Sequence, residues 1–197
     1  GYCEYCEFEN CTASGTVSGT ITGDYELYLG GLTGYCRNCD FEKCAASGTI
    51  SGTVPDGDDC FVGGLIGYAD NYKADTSLKN SYATGSVTGT ASGYSEVYVG
   101  GLVGYNDNVP VKNCYAVGAV NASSVGSDVY VGGLAGYNSG AVDGCYATGT
   151  VTGRSTYPDT VYAGGLVGLN YAAVNHSYAT GDVTATKGYL VYCGGFG

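Results

Sequence analysis

Ten cysteines and a single histidine are the residues of this 197-residue chain best equipped for chemistry. Cys3, Cys6 and Cys11 lie in GYCEYCEFENC, and the set returns 33 residues later as Cys36, Cys39 and Cys44 in GYCRNCDFEKC. Thiols so spaced either pair oxidatively or hold a soft metal. Disulfides are the stronger expectation. One histidine cannot supply mixed thiolate and imidazole sites, the interval between the CxxC pairs exceeds that of a zinc ribbon, and the third cysteine of each set has no part in one. The expected bridges are Cys3–Cys36, Cys6–Cys39 and Cys11–Cys44, with Cys114–Cys145 in the column of the last. Pairing inside each CxxC, Cys3–Cys6 and Cys36–Cys39, competes with the first two, and no resident metal is expected. Cys60 and Cys193 have no partner in their own columns, which makes them candidates for links between subunits.

The remaining reactive groups are sparse. His176 stands in Asn175-His176-Ser177, where one imidazole builds neither a triad nor a histidine metal site. Asp56, Asp58 and Asp59 cluster beside Pro55 and Gly57, which reads as a solvated turn rather than an acid and base for glycoside cleavage. Asp70, Asn71, Asn106, Asp107 and Asn108 offer oxygens that calcium could use, without an EF-hand or nonapeptide calcium pattern around them. No other cofactor is expected. Asn10, Asn121 and Asn175 begin glycosylation sequons. A net charge of −11 with seven Lys and Arg excludes a nucleic-acid partner, whose phosphates require cations. No apolar run approaches the roughly 18 residues of a membrane span. The lack of any Met, position 1 included, predicts that a leader has been removed and the chain secreted.

The elements that must position these groups are repeats. Thirty-six glycines with 44% hydrophobic residues and 21 Tyr indicate a repetitive folded backbone rather than disorder. LYLGGLTGY (27–35) recurs as CFVGGLIGY, VYVGGLVGY, VYVGGLAGY and VYAGGLVGL. It alternates with CTASGTVSG (11–19), CAASGTISG, SYATGSVTG, CYAVGAVNA, CYATGTVTG and SYATGDVTA. Both elements read as strands of period two: in CYATGTVTG, Cys145, Ala147, Gly149 and Val151 share the inward face. The expected architecture is an all-β parallel β-solenoid of six coils, about 33 residues each, disulfide-rich, with two strands per coil. Leu32, Leu65, Leu102, Leu134 and Leu166 should stack in one core column. Tyr28, Phe61, Tyr98, Tyr130, Tyr162 and Tyr192 should form one aromatic ladder, and Tyr2, Tyr35, Tyr68, Tyr105 and Tyr137 another. The longest insertion, Asn71 to Lys79, should protrude.

The GGLxGY…CYATGxVTG unit resembles the GLUG-motif repeat of bacterial and archaeal surface proteins, adhesins and secreted peptidases. The resemblance implies a cell-surface location and a non-catalytic repeat region, and it transfers no active site. The first two copies depart from it, with Thr12 and Ala45 where Tyr is usual and with added cysteines. The chain therefore reads as one solenoid domain, 1–197, of cysteine-rich coils 1–59 and GLUG-like coils 60–197. The leading functional expectation is a self-assembling extracellular structural protein of a filament, sheath or surface layer. An adhesin-type module with glycan affinity comes second, and a polysaccharide-active β-helix enzyme third. VYCGGFG (191–197) followed by Gly1-Tyr2-Cys3 rebuilds the repeat, so the expected partner is another copy, head to tail. Gly1, Tyr2, Cys60, Leu190, Val191, Tyr192, Cys193, Phe196 and Gly197 are the junction candidates.

Overall fold

The computed structural model describes every residue except Gly57, Ala74, Asp75, Tyr157, Pro158, Lys187 and Gly197, and omits the side chain of Asp56. Its first coil contributes five short strands: β1 (Tyr2–Glu4), β2 (Glu7–Glu9), β3 (Thr12–Ala13), β4 (Val17–Thr22) and β5 (Leu27–Gly30). Each pairs in parallel with its counterpart one coil on, which builds five six-stranded sheets around a common axis. No helix occurs among the described residues. The coil thus has five strands rather than the expected two, because both sequence elements are bent.

The bends are made by single residues in the left-handed region. The residue entering the β3 sheet has positive φ in every coil: Asn10 55°, Lys43 54°, Asn80 50°, Asn113 53°, Gly144 66° and His176 48°. Asn and Gly tolerate that conformation at small cost, and a lone residue there turns the chain sharply. A second corner, between the β1 and β2 sheets, uses Tyr5 at 54°, Asn38 at 51° and Asn108 at 58°.

Between the corners, alternation sorts side chains as period two requires. Leu65, Leu102, Leu134 and Leu166 are 0, 0, 1 and 0% exposed, and Leu32, in the outermost layer, packs half-buried against the same cluster. A separate column of valines, including Val62, Val99 and Val131, fills the space between the β4 and β5 sheets. Both tyrosine ladders form. Phe61 stacks on Tyr98 at 5.0 Å and Tyr98 on Tyr130 at 4.5 Å, while Tyr105 meets Tyr98 edge-on at 5.0 Å. The long insertion does not simply protrude. Asn71, Thr76, Ser77 and Leu78 are buried while Tyr72, Lys73 and Lys79 are exposed, because Leu78 must rejoin the column of Phe41 and Val111. Asp75 lies outside the described residues.

Candidate functional site

The corner between the β1 and β2 sheets gathers the chemistry-bearing groups. In coils one and two it is spanned by the CxxC segments, with left-handed Tyr5 and Asn38 just before the second cysteine of each. That turn directs both thiols of a segment inward. Sγ of Cys3, Cys6 and Cys39 all lie within 4.8 Å of one another. The Cys3 and Cys39 sulfurs are 3.7 Å apart, and the Cys6 amide donates to Sγ of Cys39 at 3.3 Å. Cys36, the register partner of Cys3, is buried in the same cluster, but its sulfur stands outside that 4.8 Å group. Cys36 and Cys39 are buried, Cys3 and Cys6 half-buried. Hydrogen bonding from Cys36 lowers the Cys39 thiol below its ordinary value, whereas burial pushes Cys3 up to about 12.

Two coils further on, the same corner is closed by amides. Asn106, in the Cys36 column, donates Nδ2 to Oδ1 of Asn138 at 2.6 Å and to the Val109 carbonyl at 2.9 Å. Asn138 repeats this toward Asn170 at 2.7 Å. Asn106 and Asn138 are fully buried, so the ladder satisfies groups that would otherwise be costly there.

The third cysteine of each set belongs to a different column, Cys11, Cys44, Ser81, Cys114, Cys145 and Ser177. Each side chain returns a bond to the carbonyl two residues earlier, as in Ser81 to Lys79 at 2.7 Å and Cys114 to Lys112 at 3.2 Å. Ser81, Cys114, Cys145 and Ser177 also accept the amide of the preceding coil: Cys44 N to Ser81 Oγ at 3.0 Å, Ser81 N to Cys114 Sγ at 3.5 Å, Cys114 N to Cys145 Sγ at 3.4 Å and Cys145 N to Ser177 Oγ at 3.0 Å. Serine and cysteine are interchangeable rungs here, since either closes the corner.

The disulfide expectation is therefore corrected. None of the ten cysteines is bonded, and even the 3.7 Å Cys3–Cys39 contact is far from the ~2.05 Å of a bridge. Stacked side chains of one column point the same way, so Cys11–Cys44 and Cys114–Cys145 use their sulfurs on backbone groups instead. Cys60 is 0% exposed, inside the valine column, and cannot link subunits; Cys193 is exposed.

The matches to known families fall where the columns are most regular. The GLUG motif matches residues 62–88, 95–121, 127–152 and 159–184, more than half of the chain. The chain belongs to the GLUG-motif family. No curated protein and no solved structure matches it. The GLUG matches begin after the cysteine-rich coils, so the CxxC corner lies outside the matched residues.

Other expected groups of this GLUG chain do not converge. Asp70 is 2% exposed and receives Nε of Arg37 at 3.0 Å and the Tyr35 hydroxyl at 2.8 Å, and Asn106 is committed to its ladder. Asn71 donates to the Asn108 carbonyl at 3.0 Å, and Asp107 accepts from Ser139 at 3.1 Å. His176 pairs with Asp143 at 2.7 Å in the open, with its side chain 85% exposed. Asn10, Asn121 and Asn175 are exposed. Asp58 is exposed and Asp59 half-buried, while the Asp56 side chain lies outside the described residues.

One functional column escaped the sequence reading: an acid precedes the β5-type strand in five coils, as Glu26, Asp59, Glu96, Asp128 and Asp159. Asp59 Oδ1 accepts the Glu96 amide at 2.9 Å, and Asp128 Oδ1 accepts that of Thr160 at 2.7 Å. Burial, with the charges of Glu96 and Glu26 adding to it, raises Asp59 from 3.8 to about 6, and burial also raises Asp159. A carboxyl whose pKa rises on folding contributes stability that is full below its unfolded value, and that contribution is lost as pH climbs through about 6. The melting temperature should therefore be a few degrees higher at pH 5 than at pH 7.5, by differential scanning fluorimetry, and Asp59→Asn should shrink the difference. A wild-type protein that melts lower at pH 5 would contradict this.

Proposed function

We propose that the chain is an extracellular structural segment that assembles by stacking its end coils on those of another copy. One observation carries this reading: two columns of glycines are sealed by the neighbouring coil everywhere except at the ends. A Cβ on Gly48, Gly85, Gly118, Gly149 or Gly181 would come within 1.9 Å of a carbonyl oxygen in the preceding coil, yet Gly15 of the same column meets nothing within 4 Å. On the opposite face a Cβ on Gly165 would lie 2.1 Å from the Gly195 carbonyl, and Gly195 itself meets nothing. The outermost strands also leave Tyr2, Tyr178, Leu190, Val191, Tyr192 and Phe196 at 65, 52, 47, 43, 55 and 43% exposure. Val129 and Tyr130, counterparts of Val191 and Tyr192, are 0 and 9% exposed where a coil covers them. Open parallel strands with apolar side chains invite a further strand in the register the interior coils use, and we take a second copy as its source. The extracellular placement rests on the surface proteins that the motif resembles. Gly197 lies outside the described residues.

Electron microscopy and analytical ultracentrifugation test this directly. Filaments with an axial repeat of roughly 29 Å are expected, from six coils at about 4.8 Å. Gly15→Ala and Gly195→Ala should leave the circular dichroism of the monomer unchanged and abolish assembly. A wild-type protein that stays monomeric at high concentration, or variants that assemble equally well, would overturn the reading.

A second reading, adhesion, is favoured by one edge of the solenoid, where the loops entering the β5 sheet present Tyr25, Tyr94, Val125 and Tyr189 at 69, 94, 55 and 66% exposure. The stacked ladder of Tyr82, Tyr115, Tyr146 and Tyr178 is less suited to sugars, because neighbouring rings 4.8 to 5.1 Å apart cover one another's faces. Binding to glycans that is lost in Tyr94→Ser but unaffected by Gly15→Ala would establish adhesion as the separate role.

A further inference from the structure

We infer that the corner joining the first two coils is a tetrathiolate site for a zinc-type divalent cation, held by Cys3, Cys6, Cys36 and Cys39. Zinc takes four sulfurs at about 2.3 Å in a tetrahedron, which sets the sulfurs about 3.8 Å apart. Cys3 and Cys39 already stand at 3.7 Å, and Cys6 lies within 4.8 Å of both. Cys36, the register partner of Cys3, is 2% exposed and packs in the same core cluster as Cys39, which makes it the fourth sulfur at hand.

Two features that argue against a metal in the linear sequence disappear in the folded chain. The interval between the CxxC pairs is long for a zinc ribbon, but the solenoid brings segments 33 residues apart into register, Cys3 against Cys36. The third cysteines, Cys11 and Cys44, are accounted for by the serine-cysteine rungs.

At this corner the Cys6 and Cys39 thiols donate to the carbonyls two residues earlier, Glu4 at 3.4 Å and Arg37 at 3.2 Å. Coils four to six fill the corner with the Asn106–Asn138–Asn170 amide ladder. Thiols are weak hydrogen-bond donors and acceptors and make a poor substitute, whereas four thiolates around one cation make a strong one. Four thiolates and one Zn²⁺ carry a net charge of −2. Compensation is at hand in the Cys6 amide aimed at Sγ of Cys39 at 3.3 Å and in Lys73 seated 4.1 Å over the Tyr5 ring, while Arg37 is paired with Asp70. As the four Zn–S bonds form, the four S–H protons pass to solvent, so uptake weakens on acidification. The bound cation would staple the half-exposed first coil to the second.

The test uses the full chain, purified under reducing conditions and loaded with zinc sulfate. Elemental analysis should find one zinc per chain, and a thiol reagent should find the half-buried Cys3 and Cys6 protected until a chelator is added, with Cys11 and Cys193 reactive throughout. Cobalt in place of zinc should give thiolate charge-transfer bands and the ligand-field bands of a tetrahedral sulfur site. Cys39→Ser and Cys3→Ser should lose the metal, while Cys114→Ser and Cys193→Ser keep it. Should Cys39→Ser misfold, Cys6→Ser in the exposed first coil gives the same reading, as does a zinc-dependent rise in the wild-type melting temperature that the chelator reverses. Failure to retain zinc, equal retention by Cys3→Ser and Cys6→Ser, or peptide maps showing these four cysteines bridged in the zinc-loaded protein would each overturn the site. None of these outcomes bears on assembly, which Gly15→Ala reports separately.

Discussion

Gly118→Ala is expected to destabilise the solenoid by about 3 kcal/mol or more, as overpacking against an immovable backbone does. The added carbon would lie 1.9 Å from the Gly85 carbonyl oxygen and 2.5 Å from its carbon. Neither can retreat, because the coils are tied by parallel hydrogen bonds, among them Val117 N to the Ala83 carbonyl at 3.1 Å. The same substitution at Gly15 meets nothing within 4 Å and should change monomer stability by less than about 0.5 kcal/mol. Urea denaturation of the two variants measures the contrast. Equal midpoints would show that the coils can separate enough to admit a methyl group.

Leu102→Ala should cost about 2 to 5 kcal/mol, the range for emptying a sealed apolar site. Leu102 is 0% exposed and sits between Leu65 and Leu134, which are 0 and 1% exposed, so no coil can collapse into the cavity without disturbing the register of both neighbours. Leu32→Ala should cost less, because that leucine is half-buried in the outermost layer. In a stack where each coil touches only its neighbours, a weak central coil also divides the cooperative unit. Thermal unfolding of Leu102→Ala is therefore expected to broaden as well as to shift downward. A shift in Leu32→Ala as large as in Leu102→Ala would contradict a core sealed coil by coil.

The stacked columns were legible in the sequence because a parallel solenoid has one dominant degree of freedom between coils, the register, and near-identical repeats determine it. Once LYLGGLTGY was aligned with VYVGGLVGY, the leucine core and both ring ladders followed, and the pairing of Tyr28 with Phe61 and Val62 with Val99 bears out that alignment residue by residue. The same alignment placed Cys3 beside Cys36. It could not say what the sulfurs do there.

That was decided within the coil, by corners that carry no strict sequence code. Tyr5, Lys43 and His176 adopt the same left-handed conformation as Asn38 and Asn113, although only asparagine announces it. These single residues split two expected strands into five, turn the CxxC thiols toward one another, and send Cys11 and Cys44 to a separate rung. Burial of Cys60 among valines and commitment of Asn106 to an amide ladder depend on the same bends. The sequence by itself determined which residues stack, because stacking is periodic and register repeats with the chain. Only the tertiary structure decided which columns face each other across a corner, because that depends on backbone torsions of individual residues that several side chains can adopt.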